Sequence, residues 1–288
     1  MAYAYLHDLI RHWFGFEVYL PIPMFGLVFT TSCIIAGLTF KREARRIEDE
    51  GLAPIPTKGP RLSDQVIEAS AVVITSGVVG GRVFHILEHP MQFINDPLAM
   101  IFTRSGLSVM GGWTFGAVAC ALFVRRYRFP IGRALDTLAL GLIIGYAFGR
   151  WACQISGDGD WGIVANMALK PDWLPQWLWA QTYTGNVLGR VIEAPGVYPT
   201  PIYESIGAFM IFTVMWKVRK HRFTAGWLFA LYMVLSGFER FWIEKIRPNP
   251  IYSGVGLSQA EIISIVFMTC GVGAMIYFMR RRPPEPAV

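Results

Sequence analysis

Apolar stretches close to the length of a bilayer recur along this 288-residue chain, and nothing else in it restricts the fold so severely. A helix needs about 18–20 apolar residues to cross hydrocarbon, where only helices and closed barrels can satisfy their own backbone. Seven segments have that character: 18–40, 66–87, 107–124, 134–152, 202–217, 226–243 and 259–279. With 53% hydrophobic and 14% aromatic residues, they predict an all-α integral membrane protein with a seven-helix transmembrane domain over 18–279. Residues 1–17 interleave aromatics with His7, Arg11 and His12 and lack an uninterrupted apolar core. They are expected to form an interfacial arm rather than a cleavable signal.

The loops alternate in basic content. Lys41, Arg42, Arg45, Arg46, Lys58 and Arg61 follow the first apolar segment, whereas Arg104 stands alone after the second. Carried along the chain, this alternation puts seventeen Lys and Arg residues on one face and six on the other. The positive-inside rule then predicts an outer N-terminus and a cytoplasmic basic tail at 280–288. The net charge of +6 is therefore topological and gives no reason to expect nucleic acid. The outer loop 153–201 holds Trp161, Trp173, Trp177 and Trp179, as expected of a structure resting on lipid headgroups. Cys33, Cys120, Cys153 and Cys270 are scattered singly and predict neither a disulfide framework nor a metal site.

Three arginines, Arg82, Arg150 and Arg240, fall inside apolar segments, where a charge is costly and marks a site by default. Arg150 ends the fourth segment and is followed by the loop Gly157-Asp158-Gly159-Asp160-Trp161-Gly162. Arg240 and Glu244 are four residues apart on one helical face, which allows an ion pair that orients the guanidinium. Two guanidiniums near the outer leaflet can grip a phosphodiester through bidentate hydrogen bonds. Pro199-Thr-Pro-Ile-Tyr203-Glu204 opens the fifth segment, and Glu204 reads as a carboxylate complementing a helix N-terminus. His85 and His89 are spaced to share one helix face beside Glu88, but no further ligand is visible and no metal or cofactor is expected.

The segments GLSVMGGWTFG (106–116), LDTLALGLIIGYAFGRWACQISGDGDWG (135–162), PTPIYE (199–204) and ERFWIE (239–244) carry a resemblance. The sequence resembles the bacterial prolipoprotein diacylglyceryl transferases from its first span to Arg247. That resemblance implies a multi-pass protein of the bacterial cytoplasmic (inner) membrane. It implies transfer of diacylglyceryl from phosphatidylglycerol to a lipobox cysteine thiol, with release of glycerol phosphate. The family's essential arginines correspond to Arg150 and Arg240, its acidic loop residue to Asp158 and its late glutamate to Glu244. Arg82, Met110, Gly111, Gly112, Cys153, Gly162 and Tyr203 are the expected substrate contacts, with phospholipid and prolipoprotein signal peptides as partners.

The departures are specific. Met110 stands where the family has the histidine of its His-Gly-Gly, Cys153 where it has an asparagine, and Phe25 and Ser236 where it has tyrosines. Gly159-Asp160 lengthens the loop by one residue. Met110 is expected on the cavity wall near Arg150. Two outcomes follow from this pattern: a phospholipid-dependent transferase acting on a prolipoprotein or another acceptor, or a catalytically silent lipid-binding paralogue that keeps the phosphate-gripping arginines.

Overall fold

The computed structural model describes residues 2–55, 59–102 and 108–281. Lys58, Arg104, Gly106, Leu107 and the tail from Arg282 onward lie outside the described residues. The helices are α1 (Leu6–Phe14), α2 (Met24–Asp49), α3 (Val66–Glu88), α4 (Pro90–Asn95), α5 (Pro97–Phe102) and α6 (Val109–Arg126). They continue as α7 (Ile131–Ser156), α8 (Gln176–Trp179), α9 (Thr200–Val218), α10 (Trp227–Glu244) and α11 (Gln259–Arg280). A small antiparallel hairpin, β1 (Ile251–Tyr252) with β2 (Leu257–Ser258), precedes α11.

The seven long helices α2, α3, α6, α7, α9, α10 and α11 fall on the seven apolar segments. Among the described residues, four stretches, Met24–Asp49, Leu62–Glu88, Ile131–Ser156 and Gln259–Arg280, are long and apolar enough to cross a membrane. Helix α10 is shorter, and it carries Glu239, Arg240 and Glu244 within 18 residues.

The chain divides into two compact units. The first comprises Met1–Thr39 and Leu135–Val288. Its core is made by Ala139, Leu140, Ile143 and Ala147 of α7, Ala208, Ile211 and Met215 of α9, and Leu228 of α10. Three of these eight are alanines, which allow the close backbone approach that drives helix packing where apolar burial alone gives no preference over lipid. At one end, Asp136 at the start of α7 accepts the N–H groups of Gly226 (2.8 Å) and Phe229 (2.9 Å). It thereby caps α10, whose own N-cap residue is a glycine with no side chain to do so.

The other end of this unit holds the loop of residues 157–199. Trp161, Tyr183 and Val197 bury one another together with Ala2. The backbone N–H of Ala2 donates to Thr184 (2.8 Å) and that of Tyr3 to Ile155 (2.6 Å). The polar ends of α7, α9 and α10 meet beneath this cover. On α1, Trp13 and Phe14 are exposed beside charged residues, the composition of a helix that lies in an interface.

The second unit is Phe40–Ala134. Ala44, Ile47, Leu62, Val124 and Phe129 form its buried cluster. Helices α3 and α6 cross at glycines: a Cβ on Gly80 would lie 2.5 Å from the Gly111 carbonyl oxygen, so neither position has room for a side chain. Around the end of α2, Arg46 pairs with Glu43 and with Glu50 (2.5 Å), and Ser63 Oγ donates to the buried Glu48 (2.6 Å).

Candidate functional site

Four segments of the first unit converge on Glu204. This residue lies past the first turn of α9 and is fully buried, so it is not the helix-start carboxylate that the sequence suggests. Arg150, on the last turns of α7, brings Nε to 2.6 Å from Glu204 Oε2 and Nη2 to 2.6 Å from Asp160 Oδ2. Arg247, just beyond α10, places Nη1 2.8 Å from Glu204 Oε1 and pairs through Nη2 with Asp160 Oδ1. Arg240 reaches the same carboxylate, Nη1 to Oε1, at 3.7 Å. The Tyr146 hydroxyl, one turn before Arg150, donates to Glu204 Oε2 at 2.6 Å. One carboxylate is thus shared by three guanidiniums and a phenol.

Local sequence explains how the pieces arrive. Gly157 and Gly159 sit at φ of +62° and +100°, a region that side chains disfavour, and they turn the chain so that Asp160 faces back to Arg150. A Cβ on Gly162 would lie 2.6 Å from the Ile246 carbonyl oxygen. Ile163 N–H bonds to that same oxygen at 2.8 Å, so the loop grips the end of α10 and holds Arg247 in place. Glu244 accepts from Asn249 Nδ2 (2.6 Å) and Ser258 Oγ (2.8 Å) and lies 2.9 Å from Arg240 Nη2. The i, i+4 pair expected from the sequence is present, and it is anchored to the start of α11.

The electrostatics are nearly balanced. Arg150, Arg240 and Arg247 oppose Asp160, Glu204 and Glu244, as burial of so many charges requires. Burial alone would raise the pKa of Asp160, but Arg150 and Arg247 outweigh that effect and hold its carboxyl below the usual 3.8. Arg150 Nε and Nη2 are shielded from solvent and lie against the carboxylates of Glu204 and Asp160, so this guanidinium is compensated in charge. Arg240 is the most open of the three arginines, with 31% of its side chain exposed.

A sequence profile of the prolipoprotein diacylglyceryl transferase family matches residues 14–277. This chain belongs to that family. A phosphatidylglycerol–prolipoprotein diacylglyceryl transferase of Lysinibacillus sphaericus is 26% identical over 274 residues, covering 93% of this chain and 92% of its own length. The enzyme of that name from Enterococcus faecalis is 24% identical over 288 residues, covering 99% and 94%. The one designated transferase 1 in Streptomyces coelicolor is 29% identical over 282 residues, covering 93% and 73%. Membership of the diacylglyceryl transferase family and the apolar helices fit a multi-pass bacterial membrane protein.

Of the residues singled out from the sequence, Arg150, Arg240 and Glu244 are brought together. Asp158 lies one step away: its Oδ1 accepts the Asp160 N–H at 3.3 Å, and it adjoins the buried Cys153. The loop carboxylate that meets Arg150 is Asp160. Tyr203 donates to the Leu178 carbonyl at 2.6 Å, tying α9 to the 157–199 loop, and the space beside Gly162 is filled by the Ile246 carbonyl and the side chains of Thr200 and Tyr198. Arg82, Met110, Gly111 and Gly112 belong to the second unit. There, Arg82 donates to the Met100 carbonyl at 3.2 Å, Met110 is exposed, and Gly111 packs on Gly80. His85, Glu88 and His89 have ligand atoms within 4.8 Å of one another, but Glu88 is engaged by Ser108 Oγ at 2.7 Å.

Sequence reasoning missed Glu204, Asp160 and Arg247 as site residues. The usable signal was Glu204 itself, because a carboxylate beyond the first turn of an apolar helix needs a cation. Nothing local marks Arg247, which is polar, interfacial and unremarkable in composition.

Proposed function

We propose that this protein transfers the diacylglyceryl group of phosphatidylglycerol to a cysteine thiol of a prolipoprotein in the bacterial cytoplasmic membrane, releasing glycerol phosphate. Its helices span that membrane seven times with the N-terminus outside, so the cluster around Glu204 faces the outer leaflet. The observation that carries the reading is the convergence of Arg150, Arg240 and Arg247 on one carboxylate in a chain of this family.

Arg240 and Arg150 take the phosphate of the lipid through their N–H forks, and Glu204 and Glu244 keep the forks in place. The phosphate charge that grows as the C–O bond breaks then meets preorganised cations, generally the largest contribution in such sites. A thiol near pKa 8.5 is a few per cent ionised at neutral pH, and adjacent guanidiniums favour the thiolate.

A second reading is a lipid-binding protein without transfer activity. It is favoured by Met110 and Cys153, neither of which provides the group the family has at its position. Both readings are tested with radiolabelled phosphatidylglycerol and a lipobox peptide, together with complementation of a strain depleted of its own diacylglyceryl transferase. Transfer that Arg240→Ala abolishes supports the first. Phospholipid that co-purifies without any transfer supports the second. Transfer that survives Arg240→Ala refutes the arginine mechanism.

A further inference from the structure

The acidic groups at the polar end of the first unit are unequal. Asp160 is held by Arg150 and Arg247, and Glu204 by three arginines and the Tyr146 hydroxyl. Glu244 is held by Arg240, Asn249 and Ser258. Each of these must surrender an ion pair or a hydrogen bond before it can take a proton. Asp158 spends Oδ1 on its own turn.

Glu239 is different. It directly precedes Arg240 on α10, yet its Oε1 is shielded from solvent with no hydrogen-bond donor, and, unlike the equally donorless Glu244 Oε2 at 2.9 Å from Arg240, it is in no ion pair among the described residues. The side chain lies on the backbone of α9, where a Cβ on Gly207 would be 3.0 Å from Glu239 Cγ and 3.7 Å from Oε1. Gly207 is one helical turn from Glu204, so the carboxyl borders the guanidinium cluster without being absorbed by it. The groups around it are Glu204 from α9, Arg150 and Tyr146 from α7, Arg247 beyond α10, and Arg240 and Tyr232 on its own helix. A half-buried carboxyl whose shielded oxygen has no donor is costly and contributes nothing to packing that an apolar residue would not supply better.

We propose that Glu239 is the proton acceptor for the attacking thiol, a role that Met110, with no titratable atom, does not fill. The proposal rests on the transferase reading. Glu239 carboxylate takes the proton of the acceptor S–H. The thiolate sulfur forms a bond to C3 of the diacylglyceryl group, and the bond from C3 to the phosphate oxygen breaks. Its electron pair stays on that oxygen in glycerol phosphate, held by the arginines. Glu239 then returns its proton to the departing phosphate or to water. No other reactant is required.

The test is the transfer assay on wild type, Glu239→Gln, Glu239→Asp, Gly207→Ala and Gly207→Ala/Glu239→Gln. Glu239→Gln is expected to lower kcat by about 10²-fold or more, the usual effect of losing a general base. The KM for phosphatidylglycerol should hold within about twofold, because ground-state binding is untouched. The residual rate should rise with pH as the thiol ionises unaided, and Glu239→Asp should recover part of the loss. Gly207→Ala, which displaces the carboxyl without removing it, is expected to slow transfer in the parent but to add nothing to Glu239→Gln.

A wild-type rate and pH profile in Glu239→Gln would overturn the role of Glu239 and leave the transferase reading standing. If Glu239→Gln does not fold, an unchanged kcat in Gly207→Ala overturns the role instead. Absence of transfer in wild type removes the transferase reading and this proposal with it.

Discussion

Arg150 and Arg247 hold the same two carboxylates, Asp160 and Glu204, although one lies on α7 and the other just beyond α10, 97 positions later in the chain. The bracket they form closes α7, the 157–199 loop, α9 and the end of α10 into one polar body. Arg240 stands at its edge with part of its side chain exposed. The site is therefore a balanced ionic lattice with one accessible cation rather than a bare positive clamp.

Glu204 should be the most sensitive position in the lattice. Glu204→Gln leaves three guanidiniums short of a counter-charge, and removing one member of a buried ion pair costs about 3–5 kcal/mol. A marked fall in the thermal unfolding midpoint in detergent is expected. An unchanged midpoint would mean that lipid or water compensates these arginines.

Charge alone should not satisfy position 240. Arg240→Lys keeps the cation but loses the planar fork, so it can neither hold Glu244 and a phosphate together nor present two parallel N–H groups. Phosphatidylglycerol binding, followed by lipid retained on purification, is expected to weaken about tenfold, the equivalent of roughly 1.4 kcal/mol. Native-like retention would place lipid recognition elsewhere.

Acid should loosen the loop before it unfolds the helices. The pKa of Asp160 is depressed in the folded protein, so its contribution is complete above the unfolded value of about 3.9 and is lost as pH falls through the lower folded value. Proteolytic susceptibility of the 157–199 loop, measured from pH 6 down to pH 3, should rise at the acid end. In Asp160→Asn it should already be high at pH 6 and change less with acid.

Orientation can be read by cysteine labelling in a cysteine-free background. Val191 is 91% exposed in the loop predicted to lie outside, and Ile55 follows α2 on the predicted cytoplasmic side. An impermeant maleimide added to whole cells should modify Val191→Cys and spare Ile55→Cys until the membrane is opened. The reverse pattern would invert the topology.

The sequence by itself determined the helices, because hydrocarbon length and backbone self-satisfaction leave an apolar run of that size little other choice. It also marked Arg150 and Arg240, since a charge in such a run is too costly to be incidental, and it paired Arg240 with Glu244, since helical periodicity sets that distance. Only the tertiary structure decided which carboxylate would be the hub. Glu204, Asp160 and Arg247 sit on segments far apart in the chain, and their meeting depends on how α7, α9 and α10 pack and on where Gly157 and Gly159 turn the loop. Asp136 illustrates the same limit: it caps α10 from another helix, over a sequence distance that no local pattern spans. Periodicity and hydropathy report energies within one segment, whereas a buried charge finds its partner through the packing of several.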